Sequence, residues 1–322
     1  MPVTRNRCLI AFAAVIAVAA AAETPSTALL VLNKEEGALA IVDPVSGKVV
    51  GRVPTGEGPH EMAVSPDGKF AFVGNYGGRT PGSSISVIDL VAQKELRRVD
   101  LGALRRPHGI VFAEGKVYFT AEANKLIGRY DPAANQIDWL LGTGQNSTHM
   151  VLVTASQIFT ANIGSDSVTV IDRANSSETV VPVGKGPEGM DLSPDGKQLW
   201  AANSRDGSVS IVDIAGKKVV QTLNLGTKRS NRLKFTPDGK LVLISDLDAG
   251  ELLVVDVPAH KEIKRIKLGK GVEGILIVPD GSRAYVAVAG DNNVAVVDLK
   301  TLEVTGFLST GTGPDGMAWA VR

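Results

Sequence analysis

The stretch GPHEMAVSPDGKFAFVGNY at 58–76, followed by SISVIDL at 84–90 and KELRRVDLG at 94–102, holds four short apolar runs. It is written again as GPEGMDLSPDGKQLWAANS (186–204), GSVSIVDI (207–214) and KKVVQTLNLG (217–226). The runs are rich in Val, Ile, Leu and aromatics. PDG separates the first two. Gly, Asn, Asp or Ser separates the next two, and Asp with a polar pair precedes the last. That is the punctuation of strands joined as hairpins. The Asp closing the third run recurs at Asp43, Asp89, Asp131, Asp172, Asp213, Asp256 and Asp298, every 41 to 46 residues. Seven such units predict an all-β, seven-bladed β-propeller with four antiparallel strands per blade. No linker interrupts the rhythm, and no amphipathic helix is evident after residue 22.

The two ends carry the phase of a closed ring. The chain enters the pattern at TALLVLN (27–33), which matches the second strand of a unit. It finishes with GPDGMAWAVR (313–322), which matches the first. Met317–Val321 is therefore expected to pair with Ala28–Leu32, which removes the open edge of a linear array.

Repeats such as SPDGKFAFVGN with SISVIDL, and SPDGKQLWAAN with SVSIVDI, resemble the YVTN family of β-propeller repeats. The resemblance covers nearly all of residues 27–322. It implies an exported bacterial propeller related to lactonase-like seven-bladed propellers; related folds also include lyases and nucleic-acid binders. Two units depart from the pattern. FAEGKVYFTAEAN (112–124) lacks Pro in its turn, and VTASQIFTANIG (153–164) lacks PDG.

The first segment reads as a leader. Arg5 and Arg7 precede an apolar run from Cys8 to about Ala22, and Ala20, Ala21 and Ala22 before Glu23 fit a small-residue cleavage site. Residues 1–22 are expected to be a signal peptide and 23–322 a single propeller domain, periplasmic or secreted. Cleavage leaves 32 basic against 34 acidic residues and no cysteine. An internal disulfide framework, a thiolate zinc cage and a CxxCH haem attachment are thereby excluded. No stable membrane span is expected after cleavage, and a monomer is expected. The near-neutral charge and 5% aromatics argue against nucleic-acid binding.

Chemistry is expected at one end of the central channel. The first strand of each unit should line it, and aligned units place His60, His108, His149, Glu188, Asn231, Glu273 and Asp315 at its start. Three of the four histidines thus fall on consecutive blades. The last residues of the second strands are expected to form a second polar ring: Asn33, Asn75, Glu122, Asn162, Asn203 and Asp246, with Val288 the exception. A concave polar end of this kind is where propellers take ligands. Arg105, Arg106, Lys228, Arg229, Arg232 and Arg79 gather nearby and could receive an anionic substrate, or be solvated loop charges.

Several readings of this mouth stay open. It could bind a small polar molecule or a partner protein. His60, His108, His149 and Glu188 could hold a divalent metal, the one cofactor these residues point to, and support lactonase or lyase chemistry. His108, His149, Glu188 and Glu122 are the candidate catalytic groups, and adjacent histidines could act as acid and base without metal. The GxGxxG spacings at 184–189, 269–274 and 311–316 lead into strands rather than a helix, so they are inter-blade turns, not dinucleotide sites. His260 falls in an outer hairpin turn.

Overall fold

Seven four-stranded antiparallel sheets follow one another around an axis in the computed structural model. It describes Met1 and residues 23–322; apart from Met1, the expected leader lies outside the described residues. Blade 1 joins Pro314–Val321 to Thr27–Asn33, Ala38–Asp43 and Lys48–Pro54. Blades 2 to 7 open with the inner strands Pro59–Val64, Pro107–Ala113, Thr148–Val153, Pro187–Leu192, Ser230–Phe235 and Val272–Ile277. The ring closes as the repeat phase requires: Leu29 pairs with Trp319, Leu30 with Ala318 and Val31 with Met317. Among the described residues, helix is confined to two short 3-10 turns, Glu122–Asn124 and Ala289–Asp291, and no helix is long and apolar enough to cross a membrane.

The apolar runs are explained by what covers each strand. Middle strands are buried on both faces, because each blade packs on two neighbours. Ala161, Val170 and Val181 of blade 4 meet Leu199, Ala201 and Val212 of blade 5 in one buried cluster. Outermost strands alternate instead: Lys94–Asp100 is exposed at every second residue, as a half-covered strand should be. The PDG turns close with Gly at positive φ, 66° at Gly68 and 68° at Gly196, where a side chain would be strained.

The start of the inner strand is irregular. The ladder to the second strand slips between Pro59 and Met62, Pro107 and Ile110, Ser230 and Leu233, and Val272 and Ile275. In four blades the residue just after the ring position is glycine, packed against the next inner strand. A Cβ on Gly109 would lie 2.6 Å from the carbonyl oxygen of His149, and one on Gly274 would lie 2.1 Å from that of Asp315. Gly189 and Gly316 meet their neighbours equally closely, at 2.6 and 2.1 Å. Glu61 and Arg232 occupy the same position in blades 2 and 6, and their side chains meet.

Candidate functional site at the polar mouth

His60, His108, His149, Glu188, Asn231, Glu273 and Asp315 are each the second residue of an inner strand. All seven line one cleft of about 190 Å³, together with Lys34, Tyr76, Arg229, Arg232 and Leu247.

The imidazoles form a stack. The rings of His108 and His149 have centroids 3.6 Å apart and planes 29° apart. His60 follows at 5.3 Å and 30° from His108. Tyr76 closes the stack edge-on, 4.8 Å from His60 and 5.5 Å from His108. Each outer imidazole is fixed by a carboxylate. Nδ1 of His60 lies 2.8 Å from Oδ2 of Asp315, and Nδ1 of His149 lies 3.2 Å from Oε2 of Glu122. Tyr76 donates its hydroxyl to the same Glu122 oxygen at 3.1 Å. Burial, then the charge of Glu122, pushes the Tyr76 phenol up to about 12, so it is a donor at neutral pH. His108 sits between the two pairs. Its complete burial, with His149 and His60 alongside, holds it well below the ordinary histidine range and therefore uncharged.

Charged groups fill the rest of the channel. Arg232 is 5% exposed and reaches from blade 6 to blade 2. Its Nε donates to Oε1 of Glu61 at 2.8 Å, and one terminal nitrogen lies 2.6 Å from the same oxygen. Its other terminal nitrogen donates to Asn231 Oδ1 at 3.1 Å, and Asn231 in turn donates to Glu188 at 2.6 Å. Lys34 pairs closely with Glu273 and lies 3.7 Å from Asp315. Burial would raise the Asp315 carboxyl, but the hydrogen bond from His60 and the charges of Lys34 and Arg232 hold it far below the usual range. Glu273 moves the other way, to about 7, through burial and the Asp315 charge, which together outweigh Lys34.

A pH dependence follows. A carboxyl raised in the fold favours the folded state at low pH, and that contribution is lost as pH rises from about 4.5 through about 7. The groups facing Glu273 are Lys34, Asp315 and Arg232. Glu273→Gln cannot ionise, so its melting temperature should gain on the wild type between pH 5 and pH 8, by a few degrees. Parallel melting curves across that range would contradict the assignment.

The second ring is not where strand ends suggested. Asn33, Asn75, Asn162, Asn203 and Asp246 are buried to 2% exposure or less and close loops. Asn75 accepts from Gly56 N at 2.9 Å and donates to Ser84 and Ser86; Asn203 donates to Ser208 and Ser210. Asn162 donates to Ser167 and Thr169, Asn33 donates to the Thr310 carbonyl, and Asp246 accepts from the amides of Lys228 and Arg229. The residues that face the mouth are one position later: Lys34, Tyr76, Glu122 and Leu247. Glu122 reaches it because Ala121, not Glu122, ends its strand, and Ala121 takes the ladder position of Asn75.

The three histidines and Glu188 gather without forming a metal-ligand set. An imidazole lone pair lies in the ring plane, and stacked rings direct their lone pairs side by side rather than to one point. Two Nδ1 atoms face carboxylates, and Glu188 holds Asn231. Among the described residues, no group of three or more His, Cys, Asp or Glu is arranged to hold a metal ion. Of the basic residues read as loop charges, Arg232 is instead buried in the channel, and the Arg106 guanidinium lies 4.6 Å over the Tyr76 ring. Arg79, Lys228 and Arg229 are exposed. His260 is in an outer turn, 2.6 Å from Gln221.

Comparisons with known proteins locate the fold. Residues 147–281 match the family described as Cytochrome D1 heme domain, which is less than half of the chain. No curated protein sequence matches. Among solved structures, the hydrazine synthase of Kuenenia stuttgartiensis is similar over 84% of this chain and 92% of its own, at 21% identity and TM-score 0.75. A periplasmic gluconolactonase of Pseudomonas aeruginosa is similar over 92% of this chain and 99% of its own, at 18% identity and TM-score 0.75. At such identities the likeness is one of fold: this chain is a seven-bladed β-propeller with structural similarity to a lactonase and to a hydrazine synthase.

Proposed function

We propose that this chain is an exported, monomeric propeller of YVTN-type repeats that binds a small polar molecule at its His-rich mouth. A set of buried polar atoms carries the reading. Nδ1 of His108, Nε2 of His149 and Oδ1 of Asp315 make no hydrogen bond among the described residues, and all three residues line the cleft. An unpaired buried polar group costs about 1–3 kcal/mol, and a ligand that pairs with it offsets that cost. The test is a thermal-shift series of small sugars, amines, amino acids and organic acids. At least one should raise the melting temperature of the wild type and not of a folded His108→Ala variant. A series without any shift, or a shift that survives His108→Ala, would sink the reading.

Export rests on the leader pattern of residues 1–22. N-terminal sequencing of protein from the native host should find a start near Glu23, and a membrane-bound form that keeps Met1–Ala22 would contradict it.

A haem does not suit these residues. The segment matching the haem-domain family contains His149 and His260 alone among histidines. The first is sandwiched against His108 and tied to Glu122; the second is bonded in an outer turn. The cleft of about 190 Å³ also falls below the roughly 300–1,000 Å³ usual for drug-sized ligands, and a tetrapyrrole is larger than most of those.

A second reading, metal-free opening of a lactone or ester, is favoured by the two His–carboxylate pairs. In it Asp315 orients His60, whose Nε2 takes a proton from the attacking water. Acid release from glucono-δ-lactone above the spontaneous rate, abolished by His60→Ala, would support it.

A further inference from the structure

We infer that the mouth takes a small protonated amine, with its ammonium directed into the ring. This rests on the reading of the mouth as a ligand site and names the class of ligand.

The first support is charge. Glu61, Glu122, Glu188, Glu273 and Asp315 come from five different blades; among the described residues the cations that act on them within the ring are the half-buried Lys34, the buried Arg232 and, beside Glu122, Arg106. Lys34 is shared between Glu273 and Asp315, and Arg232 is engaged by Glu61. Glu122 takes its hydrogen bonds from Tyr76 and His149, and Glu188 from Asn231, so among the described residues neither makes an ion pair with Lys or Arg. Arg229 stands at the exposed rim, where solvent screens it.

The second support is independent of charge. Two of the three buried atoms left over inside the ring, Oδ1 of Asp315 and Nε2 of His149, can accept, and the third, Nδ1 of His108, donates or accepts according to its tautomer. Asp315 is 2% exposed, and its Oδ1 makes no hydrogen bond among the described residues; a terminal nitrogen of Arg232 stands 4.0 Å away. Nδ1 of His149 faces Glu122; in the neutral tautomer with the proton on Nδ1, Nε2 carries the lone pair, and Nε2 makes no hydrogen bond among the described residues, in a residue 6% exposed. Nδ1 of His60 faces Asp315 in the same way. A ligand that pairs with these two acceptors must donate. An ammonium brings three donors and a positive charge, while a carboxylate would bring acceptors to acceptors. A cleft of about 190 Å³ limits the ligand to a short amine or a single ring.

The experiment is calorimetry on the mature protein with four matched probes: ethanolamine, ethylene glycol, glycolate and calcium chloride. Ethanolamine should bind saturably and at least tenfold tighter than ethylene glycol, with no heat from glycolate. Glu188→Gln, which removes one charge without changing shape, should weaken ethanolamine at least tenfold and leave ethylene glycol unchanged. If that variant does not fold, Glu122→Gln serves the same purpose. Ethylene glycol or glycolate binding as tightly as ethanolamine would overturn the amine assignment while leaving the mouth as a ligand site. Tighter binding of calcium would overturn it in favour of a metal cation. Heat from none of the four would also overturn it, and the broader thermal-shift series then decides separately whether the mouth binds anything.

Discussion

Removal of residues 313–322 should leave a chain that fails to fold at 37 °C and aggregates. These residues carry the inner strand of blade 1, which pairs with Thr27–Asn33. Without it, Leu29, Leu30 and Val31, now fully buried, lie along an unpaired apolar edge, and such edges template association between chains. The loss is not confined to blade 1. Gly316 packs on the inner strand of blade 2, and the side chain of Trp319 stacks on Tyr285 of blade 7 at 6.1 Å. Asp315 departs as well, leaving His60 without its carboxylate. Solubility on expression and the cooperativity of the melting curve are the measurements. A truncated protein that melts as the full chain does would mean the ring does not depend on closure.

Arg232→Ala should be the most damaging single substitution at the mouth. The side chain is 6% exposed and, among the described residues, is the only Lys or Arg paired with Glu61. Its removal leaves the half-buried Glu61 without a counter-charge and takes a positive charge from beside Asp315 and Glu188. Breaking a buried ion pair from one side costs about 3–5 kcal/mol. At about 2–4 °C per kcal/mol for a chain of this size, the melting temperature should fall by about 10 °C. Replacing both partners with apolar groups, Arg232→Met with Glu61→Leu, should recover most of that loss, since no charge is then stranded. A change below about 1 kcal/mol for Arg232→Ala would show that water already solvates Glu61.

The repeat made the architecture legible, because four apolar runs per unit and a fixed Asp spacing leave few alternatives. The same alignment placed the first ring, since Pro or its equivalent marks the start of every inner strand. Reading one residue further was harder. Glu61 and Arg232 stand where Gly109, Gly189, Gly274 and Gly316 stand in four other units, and that exception was the available signal. It was easy to pass over, because only the close approach of neighbouring inner strands explains why glycine is the rule there. The second ring failed for a different reason. Side chains alternate along a strand, so a slip of one residue exchanges the face towards the mouth for the face towards the loop. Strand position alone places Asn75 and Asn203 on the mouth, where they are instead loop fasteners, and it leaves out Tyr76 and Lys34, which do face it. Glu122 was reached only because unit three ends its strand on Ala121. Ring stacking was beyond the sequence. Three histidines on adjacent strands are compatible with convergence or with a stack, and the side-chain torsions decide between them.

The position of the seam in blade 1 has a practical consequence for anything attached to the molecule. The backbone N–H of Arg322 donates to the carbonyl of Ser26 at 2.9 Å, so the last residue meets the entry to the first strand. Thr27 pairs with Val321, while Asn33 pairs with Pro314 beside the mouth. A seven-residue strand at about 3.3 Å per residue separates the two faces by about 20 Å. A tether or fused domain joined after Arg322 would therefore leave from the face opposite the mouth, and the His-rich cup would remain open to the surrounding medium.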